Sequence, residues 1–300
     1  MEQEEILREV RSLKKKIQQL SSEIEALKTN SSNDPSLVEG MLKSRGIRIF
    51  RKNPKNRLFF PPDLPSIYKT RFYVMMKKYS FRLVVRDMIK DQEEFRVKDL
   101  THYCSSRVAH GYCDFLVEIG VIVKKGRGGY RVRVSPLFSF GPTLEWFIAE
   151  MLIREFASPA IYGVSVKKTP SGGDFDVFAS WNRRLVYVET KSSPPKGIEQ
   201  SEIATFFSRI DDVHPEVALL FNDTQLRMKD KLVVMFEEEL KRRYGEKARL
   251  WYPVERLVEE LFHVQNRIFI VNSKKDVFEN FRICLSHYLA HSITPPTPLF

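Results

Sequence analysis

Asp174, Asp176, Glu189 and Lys191 fall within GGDFDVFASWNRRLVYVETKSS, residues 172–193, and have the types and spacing of a divalent-cation site. Strands disfavour Asp, Glu and Lys unless these face water. Yet Glu189-Thr190-Lys191 continues directly from the apolar alternation Leu185-Val186-Tyr187-Val188. Alternate residues of a strand share a face, so Glu189 and Lys191 point the same way as Tyr187, and Asp174 and Asp176 share a face of the preceding strand. A turn at Trp181-Asn182-Arg183-Arg184 then brings an aspartate towards the Glu–Lys pair. Carboxylate oxygens beside a lysine are hard donors suited to Mg²⁺ or Mn²⁺. Such an ion lowers the pKa of a bound water and clamps a phosphodiester. The ammonium stabilises negative charge developing on the phosphorus. The apolar part of the strand builds the core, and its polar end builds the site.

The elements that must position these groups are legible around them. Phe140-Gly141-Pro142-Thr143-Leu144-Glu145 opens a helix, with Thr143 as the expected cap, running to Phe156. Strands are expected over residues 161–168, 174–179 and 185–191, then a helix over 197–210 and a buried strand over 217–221. The order is α-β-β-β-α-β, an α/β core. With the Asp–x12–Glu–x–Lys spacing from Asp176 to Glu189 and Lys191, this order resembles the PD-(D/E)XK nuclease superfamily, the restriction-endonuclease-like fold, over roughly residues 140–222. The flavour is closest to Mrr-type restriction endonucleases and archaeal Holliday-junction resolvases. The resemblance implies metal-dependent cleavage of DNA. It implies Asp176 and Glu189 as metal ligands, Lys191 as the catalytic lysine, Glu145 as an additional acid on the preceding helix, and the Thr190 carbonyl as a further ligand. Gln200 matches a polar position of some members. Phe175 stands where the family name has proline. Asp176 precedes the apolar run Val177-Phe178-Ala179 usual after the catalytic aspartate, and Asp174 is the alternative ligand. Arg183, Arg184, Lys167 and Lys168 are either groove-lining cations or plain surface charge.

The chain carries a net charge of +11 and a sequence pI near 9.5. The excess sits in residues 41–140, which hold 22 Lys+Arg against 8 Asp+Glu, while residues 141–300 hold 21 against 22. A polyanion partner follows, nucleic acid being the commonest; a basic surface without a partner is the bland alternative. Residues 80–134 read as an amphipathic helix capped by Ser80, a short strand, a short helix, and a third helix from Arg107 to Ile119 capped at Ser105-Ser106. Val108, Tyr112, Phe115, Leu116 and Ile119 are its expected buried face. Gly120 ends it. A hairpin follows with the basic tip Lys124-Lys125-Gly126-Arg127. This order resembles a winged helix-turn-helix. The resemblance implies a third helix in the major groove, presenting Arg107 and His110, and a wing contacting DNA through Lys124, Lys125 and Arg127. Winged helices also serve as protein-docking modules. His102, Cys104, His110 and Cys113 do not have the spacing of a structural zinc site.

Residues 41–79 read as a short hairpin or an extended basic arm. Arg48, Arg51, Lys52, Lys55 and Arg57 either track phosphates or form a solvated face. Towards the amino terminus, Ile6, Val10, Leu13, Ile17, Leu20, Ile24 and Leu27 alternate by four and three, a heptad seam with branched residues at a and leucine at d. That favours a parallel two-stranded coil and hence a homodimer; a helix packed on its own domain is the alternative. Residues 249–252 and 267–271 read as strands, 226–243 and 277–290 as helices, and the end ITPPTPLF as an extended tail. The expected division is a coiled coil over 1–30, a linker and basic arm over 31–79, a winged helix over 80–138 and a nuclease-like domain over 139–300. No run of about 18 apolar residues and no signal-peptide core are found, so no membrane span is expected. Three cysteines suit a reducing, cytoplasmic location. The expected activity is a Mg²⁺- or Mn²⁺-dependent deoxyribonuclease acting on duplex or branched DNA. The alternative is a DNA-binding regulator that does not cut.

Overall fold

The computed structural model describes residue 16 and residues 34–126, 128–133, 137–167 and 169–292. The heptad seam, Arg127, Lys168 and the proline-rich end lie outside the described residues. The architecture is mixed α/β. An eight-stranded mixed sheet has the order β1-β5-β6-β7-β8-β11-β10-β9, and a three-stranded antiparallel sheet has the order β2-β4-β3.

The large sheet grows around the hairpin of β6 (Asp174–Trp181) and β7 (Arg184–Lys191). Asn182 and Arg183 both adopt positive φ, 48° and 58°, the left-handed pair that a tight two-residue hairpin turn requires. β5 (Ala160–Lys167) pairs antiparallel with β6. On the other side β8 (Val217–Asn222) runs parallel to β7, and β11 (Ile268–Asn272) runs parallel to β8. β8 is buried throughout, as expected of a parallel strand covered on both faces. β9 (Val254–Val258) and β10 (Leu261–Val264) complete that edge. Residues 249–252, expected as a strand, instead form a short helix, α8 (Ala248–Trp251). Leu250 and Trp251 are exposed, so they offer no apolar face to a sheet, and the edge strand begins after Pro253.

The opposite edge is β1 (Arg48–Arg51), antiparallel to β5, preceded by α1 (Ser36–Ser44). A sheet strand therefore stands where a hairpin or arm was expected. Ile49 pairs with Val166, and α1 packs Val38 and Leu42 into the core on one face of the sheet.

Residues 66–132 form α2 (Ser66–Met76), α3 (Tyr79–Lys90), β2 (Phe95–Arg96), a single 3-10 turn, α4 (Ser106–Glu118), and the hairpin of β3 (Ile122–Lys125) and β4 (Gly129–Val132). Two expected caps moved, and tertiary bonds explain both. Ser80 lies inside α3, its hydroxyl 2.8 Å from the Tyr112 hydroxyl. Thr143 lies inside α5 (Gly141–Phe156), where its Oγ1 accepts a hydrogen bond of 2.9 Å from the Phe59 amide. Ser105 does cap α4, accepting from the Val108 amide. Val108 itself is exposed; the buried stripe runs through Ala109, Tyr112, Cys113 and Leu116, the i, i+3, i+4, i+7 spacing.

One apolar cluster joins this unit to the large sheet. Phe60 meets Trp146 of α5 at 4.9 Å and Phe72 of α2 at 5.1 Å, and Phe72 meets Phe81 of α3 at 5.6 Å between ring centroids. The same cluster continues through Val177, Val186, Val188 and Leu219 of the sheet to Phe281 and Leu285 of α9 (Val277–Ser292). The other face of the sheet packs against α6 (Gln200–Val213) and α7 (Val234–Tyr244). Among the described residues no helix is long and apolar enough to cross a membrane.

Candidate active site

β6 and β7 are paired from Trp181–Arg184 up to Val177–Val188, and there the ladder stops. Asp176 and Glu189 stand opposite each other at the next position, where the strands part. On the other side of β6, pairing with β5 resumes at Val164–Phe175 but omits Gly163 opposite Asp176. The Asp176 carboxylate turns into the opening: Oδ2 accepts from the Thr190 amide at 2.7 Å and from the Thr190 hydroxyl at 3.0 Å.

Gly163 makes this departure possible. Its φ is +55°, and a Cβ there would stand 2.7 Å from the Pro54 ring and 3.4 Å from Glu145 Oε2. Pro54 is held in place by Asn53, whose amide donates to the Tyr162 carbonyl and whose Oδ1 accepts from the Tyr162 amide. Gly163→Ala is expected to lose about 1–3 kcal/mol through left-handed strain and the clash with Pro54. Urea denaturation measures it, and an unchanged midpoint would show that neither constraint acts.

Glu189 is only 3% exposed. Its Oε2 accepts from the Tyr187 hydroxyl and, at 2.6 Å, from Arg209 Nη1 of α6. Its Oε1 lies 3.2 Å from the Lys191 ammonium. Lys191 also meets Glu202 of α6 at 2.7 Å. Glu202 is fixed in turn by the helix start, accepting from the Glu199 amide at 3.0 Å. Burial opposes the charge on Lys191, but Glu189 and Glu202 outweigh it and hold its pKa above the ordinary value. The lysine therefore stands protonated and aimed.

The remaining carboxylates fare differently. Asp174 meets Arg51 at 2.9 Å and Arg57 at 3.5 Å and accepts from Ser165 at 2.6 Å. Burial raises its pKa, and these partners pull it below the ordinary range. Asp174 is thus already neutralised by the basic stretch around residue 50, which leaves Asp176 as the aspartate facing the opening. Glu145 of α5 has no hydrogen bond or ion pair among the described residues. Burial first, then the charges of Asp176 and Glu189, push its pKa up from 4.5 to about 9. Burial and Glu189 push Asp176 up from 3.8 to about 7, against the Thr190 amide, Arg209 and Lys191.

Raised carboxyl pKa values favour the folded state while protonated. That contribution is complete below the ordinary carboxyl pKa and is lost as pH rises through about 7 and then about 9. Glu145→Gln is expected to raise the melting temperature of the metal-free protein at pH 9 and to leave it unchanged at pH 5. Each kcal/mol relieved is worth roughly 2–4 °C by calorimetry.

The same crowding of carboxylates suits a cation. Glu145 and Asp176 are hard-oxygen donors with no cationic side chain paired to them, and Mg²⁺ or Mn²⁺ matches that chemistry. Glu189 would join them only by yielding Arg209 or Lys191. Consistent with those pairings, no group of three or more His, Cys, Asp or Glu is arranged to hold a metal among the described residues, the His102–Cys113 set included.

The other sequence candidates are spread out. Arg107 and His110 are exposed on α4, with His110 Nδ1 2.9 Å from the Ser106 carbonyl. Lys124 and Lys125 are exposed on β3, and Lys125 pairs with Glu94 at 2.9 Å. Arg183 and Arg184 sit at the far end of the eight-residue β7, roughly 23 Å from Lys191, so they do not line this opening. Lys167 lies over the Phe50 ring at the β1 edge. Of the residues expected to track phosphates, Arg51 and Arg57 hold Asp174, and Lys52 pairs with Glu39. Gln200 donates to the Met235 carbonyl and ties α6 to α7. Arg209 and Glu202 were not singled out from the sequence. Their seven-residue spacing on one helix face, after a strand ending in Glu-x-Lys, is the signal that identifies them.

No family model and no curated protein matches the chain. Among solved structures, protein VC1899 from Vibrio cholerae aligns over 65% of this chain and 53% of its own, at 14% identity and a TM-score of 0.40. Can2 from Sulfobacillus thermosulfidooxidans, solved in complex with cyclic tetra-adenylate, aligns over 84% of this chain and 60% of its own, at 12% identity and a TM-score of 0.45. The chain spans 53% and 60% of the length of these two structures, and likeness at this level carries no argument about activity.

Proposed function

We propose that the chain is a metal-dependent DNA endonuclease with a PD-(D/E)XK-like core, targeted by a winged helix and paired through an amino-terminal coiled coil in the cytoplasm. One observation carries the reading: two carboxylates, Glu145 and Asp176, lack cationic partners beside a protonated lysine, where two strands part. A divalent cation held by Glu145 and Asp176, with the Thr190 carbonyl and Glu189 as further donors, would supply Lewis acidity and an activated water. The protein's own groups do the rest. Lys191 offers its ammonium to a non-bridging phosphate oxygen, Glu189 and Glu202 fix its direction, and Arg209 neutralises Glu189. The order α3, 3-10 turn, α4, β3–β4 hairpin supports the winged-helix reading, with Arg107, His110, Lys124, Lys125 and Arg127 as DNA contacts.

Purified protein incubated with plasmid, linear and four-way-junction DNA, with and without Mg²⁺ or Mn²⁺, tests this beside Asp176→Ala and Lys191→Ala. Cleavage that needs metal and vanishes in both variants supports the enzyme. Binding without nicking of any substrate supports the regulator instead, a reading favoured by the ion pairs that already occupy Glu189.

A further inference from the structure

α3 carries two arginines one turn apart, Arg82 and Arg86, on the face turned towards the end of the site strand. Arg82 is 1% exposed, which is rare for arginine. Its guanidinium forks onto Asp223, with Nε 2.9 Å from Oδ2 and Nη2 2.8 Å from Oδ1, and donates to the Met76 carbonyl at 2.6 Å. Asp223 directly follows β8, and its amide donates to the Lys191 carbonyl at 2.8 Å. Asn222 Nδ2 donates to the carbonyls of Lys191 at 3.1 Å and Ser193 at 2.7 Å. Arg86 takes the carbonyl between them: Nη1 donates to Ser192 at 3.1 Å. Its Nη2 lies 3.3 Å from the Tyr103 hydroxyl, two residues before the cap of α4.

The three consecutive carbonyls of residues 191–193 are therefore all held, and the middle one is held from the basic unit. We propose that Arg86 is a positioning residue for Lys191, clamping the strand end beyond the lysine from the same helix layer that presents α4 to DNA. This rests on the nuclease reading above, because it assigns Lys191 a catalytic task. Removing the clamp frees the Ser192 peptide and loosens the backbone next to Lys191, from which Glu189 and Glu202 aim the ammonium. The strand itself stays, since β7 remains paired to β8 from Val186 to Lys191.

The test compares wild type, Arg86→Met, which keeps the apolar stem, and Arg86→Lys, in the full chain. DNA affinity is measured in EDTA, single-turnover cleavage in Mg²⁺, and amide hydrogen exchange over residues 189–194 in the metal-free protein. Arg86→Met is expected to keep its affinity, to lose about 10- to 100-fold in cleavage rate, and to speed exchange at residues 192–194 only. Arg86→Lys, with one donor able to reach the Ser192 carbonyl, is expected to recover part of both. Wild-type cleavage and exchange in Arg86→Met would overturn the proposal, as would parallel losses of affinity, stability and rate. If wild type cuts no DNA, the nuclease reading fails by itself; the clamp is then judged by exchange alone, and unchanged exchange at 192–194 overturns it.

Discussion

Lys191→Ala is expected to cut metal-dependent cleavage by about 10²–10³-fold, the usual cost of removing one preorganised charge from a transition state. DNA affinity should change little, because Lys191 is largely buried and already paired to Glu189 and Glu202, whereas the exposed cations of α4 and β3 lie elsewhere. Lys191→Arg should restore little of the loss. A planar guanidinium cannot occupy the position of a compact ammonium held between two carboxylates. Gel-based cleavage under single-turnover conditions and fluorescence anisotropy with a labelled duplex measure the two quantities separately. A variant that still cuts at the wild-type rate would remove Lys191 from the chemistry.

The second large effect is on stability. Asp223→Ala leaves Arg82 buried without its counter-charge and is expected to cost about 3–5 kcal/mol in denaturant unfolding. Ser273, whose hydroxyl donates to Asp223 Oδ1 at 2.8 Å, loses its acceptor as well. The double variant Arg82→Met, Asp223→Ala removes both charges and should recover most of the loss. An ion pair replaced by apolar groups of similar volume is often neutral, so the penalty belongs to the orphaned charge rather than to the pair. Equal destabilisation in the single and double variants would instead assign it to lost packing.

The hairpin and its flanking elements were readable because local chemistry and tertiary need agree there. The alternation Leu185–Val188, the turn at 182–183 and the continuous apolar run of β8 each name one structure. The site's second layer was less legible. Arg209 reaches Glu189 from twenty residues away, and its seven-residue spacing from Glu202 becomes a signal only once that helix face is set against the Glu-x-Lys strand end. The difference between Asp174 and Asp176 likewise arises at a distance: Asp174 is met by Arg51, on a four-residue strand with little apolar pattern, and by Arg57, in the 3-10 turn after it. Thr143 and Ser80 misled as caps because a hydroxyl can serve a helix end or a partner far along the chain, and here the distant partners prevailed.

Because Phe60, Phe72 and Phe81 share a wall with Trp146 and the sheet, the two halves of this molecule are not interchangeable beads. Replacing residues 66–132 with a foreign unit would strip aromatic surface from α5 and leave it wet. On the proposed endonuclease reading, a change of nucleic-acid preference therefore has to proceed by repainting the outer faces of α4 and β3, not by transplanting a new head onto the old body.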